Sequence, residues 1–132
     1  MTKPPSLFTH PIHLGLGAGA TIQPELAGME WYADYEARTV ADGIEGRLVS
    51  LYRFAESWDS WEVHPSGEEV VICLEGAMTL YQELADGEAR TVTLGVGDYV
   101  INPAGAWHTA DVDAVALALF ITPGTGTQHR PR

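Results

Sequence analysis

Residues 61–76 read Trp61-Glu62-Val63-His64-Pro65-Ser66-Gly67-Glu68-Glu69-Val70-Val71-Ile72-Cys73-Leu74-Glu75-Gly76, and this stretch decides the fold. Glu62 and His64 are two apart, so a strand turns both side chains to one face and Val63 to the other. Pro65-Ser66-Gly67 is turn-prone. From Glu69 the chain is apolar on both rows, with Val70, Ile72 and Leu74 on one and Val71 and Cys73 on the other. A short apolar run closed by Glu75-Gly76 reads as a buried strand and its turn. Glu69 shares a row with Val71 and Cys73. If that row faces the interior, its charge is costly there unless paired or metal-bound. His64 and Glu69 can then meet across the loop.

The pattern continues outward. Arg47 to Phe54 has strong β character. Met78 to Leu84 and Arg90 to Leu94 flank Asp86-Gly87, a hairpin signal. Gly95-Val96-Gly97-Asp98 is a further turn, Tyr99 to Ile101 a short strand stopped by Asn102-Pro103, and Val112 to Ile121 a long final strand. Many short strands with turns at this spacing argue for an all-β sandwich or barrel. Leu26 to Tyr35 fits a helical turn or an irregular strand. Leu14-Gly15-Leu16-Gly17-Ala18-Gly19 lacks the strand-then-helix context of a phosphate loop. Residues 1–46 therefore read as an N-terminal arm with edge strands on the barrel, 47–123 as the core, and 124–132 as a flexible polar tail. Several strands are apolar on both faces, so something must cover the outer one. The arm and a second subunit are the candidates, which predicts a homodimer.

The 132 residues make one domain, and their 18 acidic and 7 basic side chains give a net charge of -11. That field opposes a nucleic-acid backbone, and no basic cluster offsets it. Cys73 is the only cysteine, so an internal disulfide is excluded. The longest apolar stretch, Ala114 to Ile121, is too short for a membrane helix, and no signal-peptide pattern opens the chain. A cytoplasmic protein with no membrane partner is the expectation.

A second segment, Pro103-Ala104-Gly105-Ala106-Trp107-His108, sets a histidine after a rigid turn that can aim it inward. His64, His108 and Glu69 together make a facial two-histidine, one-carboxylate set, with Glu62 alongside. Such a set suits one divalent ion: iron, manganese, nickel or zinc. Tyr52, Phe54, Val71, Cys73 and Trp107 are candidate pocket walls, and Trp58 and Trp61 also flank the ligands. Each residue has an ordinary alternative: a hydrogen-bonded histidine, a solvated Glu68-Glu69 edge, core or rim tryptophans, a small buried cysteine. His10, His13 and His129 read as exposed.

These two segments resemble the motifs of the cupin superfamily. Glu62, His64, Glu69 and Gly76 map onto the first motif, with matching spacing from His64 onward. Gly97, Pro103, Gly105 and His108 map onto the second. The resemblance covers about Arg47 to Ile121 and implies a small cupin-type double-stranded β-helix, or jelly-roll, barrel. It also implies three histidines and one glutamate around a divalent metal. Two positions depart: Glu62 stands where a histidine is usual, and Val112 where an asparagine is usual. Glu62 is then a ligand, a catalytic base beside an open coordination position, or part of a barrel that binds a small organic molecule without metal. The fold hosts dioxygenases, isomerases, decarboxylases, lyases, storage proteins and sugar-sensing domains. The expectation is a divalent-metal-binding protein read first as a dioxygenase-like enzyme on a small organic substrate, with a non-catalytic binding or sensing module as the alternative.

Overall fold

The computed structural model describes residues 2–132, so the first residue of the expected arm lies outside it. Eleven strands and one α-helix follow in order among the described residues. They are β1 (Ile12–Leu14), β2 (Ala20–Ile22), α1 (Glu30–Arg38), β3 (Arg47–Phe54), β4 (Ser60–Val63) and β5 (Glu69–Gly76). β6 (Met78–Glu83), β7 (Ala89–Leu94), β8 (Tyr99–Asn102), β9 (Trp107–Asp111), β10 (Ala116–Pro123) and β11 (Gln128–Pro131) complete the chain. A 3-10 segment, Val40–Glu45, links α1 to β3.

The strands form two antiparallel sheets. One has the order β2-β1-β3-β10-β5-β8, the other β11-β4-β9-β6-β7. The expected closed barrel is thereby corrected: neither sheet is closed, and no ladder joins their edges. The chain passes between sheets through tight turns at Ala77, Gly95–Asp98, Pro103–Ala106 and 112–115. Each turn ends one ladder and starts another in the opposite layer. Gly76 shows the constraint: its φ is +70°, and a Cβ there would lie 1.9 Å from the Val115 carbonyl oxygen. Only glycine fits so close an approach.

The core lies between the layers. Val71, Cys73, Ala118 and Phe120 project from the six-stranded sheet against Met78, Leu80 and Ala110 from the other. Complete burial of a side chain such as Leu80 contributes about 1.5–3 kcal/mol. The inward row of β3 is Leu48, Ser50, Tyr52 and Phe54, and the outward row is Arg47, Val49, Leu51 and Arg53. This alternation follows from the register of Tyr52 on Ala118 and of Ala118 on Cys73.

Three further sequence expectations are refined or corrected. Leu26 to Tyr35, open between a helical turn and an irregular strand, resolves to a full nine-residue helix that starts at Glu30 and runs past Tyr35 to Arg38. Glu30 in its first turn and Arg38 in its last suit the helix dipole. Trp31 and Tyr35, four apart, stack at 5.6 Å on its buried face under the Arg38 guanidinium. The strand expected to begin at Val112 begins at Ala116, and an unexpected strand, β9, precedes it and carries His108. The polar tail is partly ordered as β11, paired to β4 and anchored by the Arg130 guanidinium over Trp61 and Trp107.

His13, expected to be exposed, is buried. Its Nδ1 meets the Tyr35 hydroxyl at 2.7 Å and its Nε2 meets Asp42 Oδ2 at 2.6 Å. This chain of polar groups ties α1 and the 3-10 segment to β1. Burial is the main cause that pushes the Tyr35 phenol up to about 12, so it stays neutral and available for hydrogen bonding. No helix among the described residues is long and apolar enough to cross a membrane.

Candidate metal centre

Four side chains converge between the layers: Glu62, His64, Glu69 and His108. Glu62 and His108 are direct cross-strand partners on β4 and β9, so both face inward. Glu69 opens β5 in the opposite sheet, and His64 follows the end of β4. The Gly105 amide donates to the His64 carbonyl at 3.1 Å, which joins the two motif segments. Side-chain exposure is 3% for His64, 2% for Glu69 and 0% for His108, against 27% for Glu62. The cluster is therefore accessible from the Glu62 side.

One potential ligand atom from each residue lies within 4.8 Å of the others. An ion with donors at 2.0–2.2 Å spans about 4.3 Å between opposite donors, so small side-chain shifts suffice to close the shell. His64 Nε2 is 2.8 Å from Glu62 Oε1 and 3.1 Å from Glu69 Oε2. His108 Nε2 is 3.1 Å from Glu69 Oε1 and 3.8 Å from Glu62 Oε1. Despite these distances, neither Nε2 has an aligned hydrogen-bond partner, and both are buried. The two nitrogens are aimed between the carboxylates rather than at them. Buried polar atoms are seldom left so, and a cation between the four groups satisfies both.

The surrounding hydrogen bonds prepare the donors. His108 Nδ1 donates to the Ala106 carbonyl at 3.3 Å, which leaves the Nε2 lone pair free for a metal. His64 Nδ1 pairs with Thr127 Oγ1 at 2.9 Å. Asn102 Nδ2 donates to Glu69 Oε1 at 3.0 Å, and Thr122 Oγ1 donates to Glu69 Oε2 at 2.7 Å. Gln82 Nε2 in turn donates to Asn102 Oδ1 at 2.8 Å and to the Ile101 carbonyl at 3.0 Å. On the exposed side, His129 Nε2 meets Glu62 Oε2 at 2.9 Å.

Without an ion the four groups perturb one another. Burial opposes charge most strongly at each, but the oppositely charged neighbours outweigh it. His64 and His108 are raised to about 9, and Glu69 is lowered to about 2. The Glu62 carboxyl also falls far below the usual carboxylate range. Both carboxylates are thus ionised near neutral pH and ready to receive a cation.

The candidate walls divide. Tyr52 and Phe54 lie half-buried on the inward row of β3, and Val71 and Cys73 are fully buried beneath them. Trp107 is a correction. It neighbours His108 on β9 and so points to the opposite face, where Arg130 covers it at 4.5 Å. That outer face bears a groove of about 340 Å³ lined in part by Trp61, Tyr81, Thr109 and Arg132. Trp58 is the tryptophan that joins the site. Its ring stands edge-on to His108 at 6.2 Å and packs on Phe54 and Phe120 at 5.6 and 6.1 Å. Tyr32 of α1 hydrogen-bonds Tyr52, and burial, followed by the Glu62 charge, raises its phenol.

Sequence reading missed Gln82, Asn102, Thr122, Thr127 and His129. The signal for Gln82 was its place on the inward row of a strand, where a polar side chain needs a partner. The others lie in or beside stretches read only as turns, tail or strand end.

The fold and this cluster define a two-layer β protein with a buried site able to chelate a divalent ion. The chain belongs to the cupin family, for the model described as "Cupin domain" matches residues 51–130. No curated protein matches. Among solved structures, the chain is similar to oxalate oxidase, with 15% identity, a TM-score of 0.56, and 70% of this chain and 50% of that one covered. It is similar to Bacillus subtilis oxalate decarboxylase, with 17% identity, a TM-score of 0.55 and coverages of 73% and 26%. It is also similar to hydroquinone 1,2-dioxygenase from Sphingomonas sp. TTNP3, with 15% identity, a TM-score of 0.50 and coverages of 58% and 58%. The chain thus spans between a quarter and three-fifths of those proteins' length, and at such identities the likeness is one of fold.

Proposed function

We propose that the protein is a metal-dependent, dioxygenase-like enzyme acting on a small organic substrate. One observation carries this reading: three of the four donors are sealed from solvent, while Glu62 alone stands on the accessible side. A purely structural centre is closed on all sides, whereas a catalytic one keeps a face open. A bound divalent ion supplies Lewis acidity and, if iron, redox chemistry with oxygen. His64, His108 and Glu69 hold it, while Thr127, Asn102 and Thr122 fix their orientation. Glu62 lies where it either completes the shell or takes a proton from a substrate beside it. With both carboxylates ionised, the shell neutralises a divalent ion, so iron or manganese suits these oxygen donors.

The test is metal analysis of protein purified without chelator, followed by oxygen-uptake measurements with the iron-loaded form. Stoichiometric metal and substrate-dependent uptake support the reading. Metal with saturable ligand binding and no turnover favours the binding or sensing module instead. No metal after gentle purification overturns both metal-dependent readings. A reducing compartment such as the cytoplasm suits the single free, buried cysteine.

We also propose a homodimer through the outer face of the six-stranded sheet. Val49, Leu51, Val70, Ile72, Leu119 and Ile121 form a continuous apolar surface there, bordered by Tyr99 and Ile101 at 64% and 47% exposure. A self-complementary apolar face of this kind suits a two-fold contact between copies of the chain. Light scattering that gives 14.3 kDa at tens of micromolar rejects it.

A further inference from the structure

Around the accessible side of the cluster runs an arc of aromatic side chains. Tyr32 touches Tyr52, and Tyr52 lies 6.2 Å from Phe54 and 5.9 Å from Phe120. Phe54 lies 5.6 Å from Trp58, and Trp58 returns to His108. The arc draws on three separate parts of the chain: α1, β3 with the loop after it, and β10. Tyr32 comes from the segment outside the matched residues 51–130.

Trp58 carries the decisive feature. Its Nε1 is buried and has no hydrogen-bond partner among the described residues. The orphan donor is held in place. The Trp58 amide donates to the Ala110 carbonyl at 2.9 Å, the Trp58 carbonyl accepts from Arg132 Nη1 at 2.9 Å, and the Val112 amide donates to Ser57 Oγ at 3.0 Å. A buried indole normally finds an acceptor, and a fixed, unsatisfied donor beside a metal site is suited to receive an oxygen from outside the chain.

Charge narrows the class of ligand. Arg47 and Arg53 point outward from β3, Arg130 covers Trp61 and Trp107 on the far face of the other sheet, Arg132 is taken up by Asp111 and the Trp58 carbonyl, and Arg38 covers Trp31 and Tyr35. Arg90 pairs with Glu88, and Lys3 is on the exposed arm. No lysine or arginine is therefore offered to an anionic substrate by the arc, and the two carboxylates cancel the charge of a divalent ion. Resting on the reading of this interior as a ligand site, we propose that the arc binds a neutral aromatic molecule bearing a hydroxyl or carbonyl oxygen. Its ring packs on Phe54, Trp58 and Phe120, and its oxygen accepts from Trp58 Nε1. Tyr32 and Tyr52 form the polar rim and determine specificity. Apolar walls with a few placed polar groups are the usual make-up of such sites.

The test follows the indole N–H resonances of the four tryptophans in metal-loaded and metal-free protein, with Trp58→Phe assigning one of them. The probes are phenol, benzaldehyde, benzoate and oxalate at equal millimolar concentrations. Phenol or benzaldehyde should shift the Trp58 resonance saturably, with benzoate at least about tenfold weaker and oxalate without effect. Trp58→Phe should weaken phenol binding by about tenfold while bound metal, measured by atomic emission, stays unchanged. Tyr32→Phe should weaken it less. Benzoate or oxalate binding as tightly as phenol, an unmoved Trp58 resonance, or unchanged phenol affinity in Trp58→Phe overturns the inference. Aromatic binding to protein that takes up no metal sinks the enzyme reading and leaves this one standing.

Discussion

Stripping metal from the cluster should lower thermal stability by an amount that mass action sets. The donors converge only in the folded chain, because Glu69 comes from one sheet while Glu62 and His108 come from the other. The ion therefore binds the native state almost exclusively, and free metal at a hundred times its dissociation constant stabilises by about 2.7 kcal/mol. Unfolding entropy near 2.1 cal/mol/K per residue gives about 0.28 kcal/mol/K for 132 residues, so the expected rise in melting temperature is about 10 °C. The assay is scanning calorimetry on chelator-treated protein, with each of iron(II), manganese, nickel and zinc added separately and iron kept anaerobic.

His108→Ala supplies the control. Outer hydrogen-bond partners of metal ligands alone are worth about 10–100-fold in affinity, so loss of a donor should cost at least a hundredfold. At the same free metal the stabilisation then falls to about 0.4 kcal/mol, or about 1–2 °C. The comparison is with and without metal for the same variant, so any damage to the core from removing a fully buried ring cancels. A melting temperature indifferent to all four ions would refute the cluster as a metal centre. Equal shifts in wild type and His108→Ala would place the binding elsewhere on the acidic surface.

Asn102→Ala frees Glu69 Oε1 and removes one of the two acceptors of Gln82 Nε2, so metal affinity in chelator competition should fall about 10–100-fold. Gly76→Ala should cost more than about 2 kcal/mol in denaturant melts, since a Cβ meets the Val115 carbonyl at 1.9 Å and the φ is +70°. The pH profile of the metal-free form follows from the shifted groups. His64 and His108, raised from 6.5 to about 9, contribute stability that is full below 6.5 and lost as pH climbs through 9. Glu69, lowered from 4.5 to about 2, contributes stability present above 4.5 and lost as pH falls to 2. The metal-free melting temperature should peak between roughly pH 5 and 6.5, and the increment due to metal should grow from there to pH 9 as protons cease to compete for imidazole.

Of the potential donors, His64 and Glu69 were legible because strand alternation is strict, and His108 because the rigid turn Pro103-Ala104-Gly105 could aim it inward. A charge on the row of Val71 and Cys73 had to be paired, and a histidine two from Glu62 had to share its face. Closure was not legible. The turn signals that suggested many short strands say where ladders end, not whether opposite edges meet. Trp107 was misassigned because the segment before His108 read as a turn that continued past it, whereas β9 begins at Trp107 and alternation sends that ring outward. The helix was left undecided against an irregular strand because Trp31, Tyr32 and Tyr35 favour strands individually, and the Trp31–Tyr35 stack under Arg38 overrides that preference. β11 escaped because nothing in His129-Arg130-Pro131 is apolar. It is held by backbone pairing to β4 and by Arg130 lying over two tryptophans that its own sequence does not contain.

Those two elements give the departure at Glu62 its physical setting. A histidine at that position would be a neutral donor, leaving a divalent ion and Glu69 with a net charge of about +1, able to attract an anion. A carboxylate shortens the reach of the donor and removes one unit of charge, but its second oxygen must then be satisfied on the solvent side. β11 supplies His129 to that oxygen at 2.9 Å, and α1 brings the Tyr32 phenol close enough to feel the Glu62 charge. α1 is in turn fixed by the buried contacts of Tyr35, His13 and Asp42, far from the cluster. The arm and the tail therefore border the accessible side of a centre whose other donors the cupin strands provide. With Glu62 in place of a histidine, the proposed recognition rests less on net charge than on the aromatic side chains around the cluster.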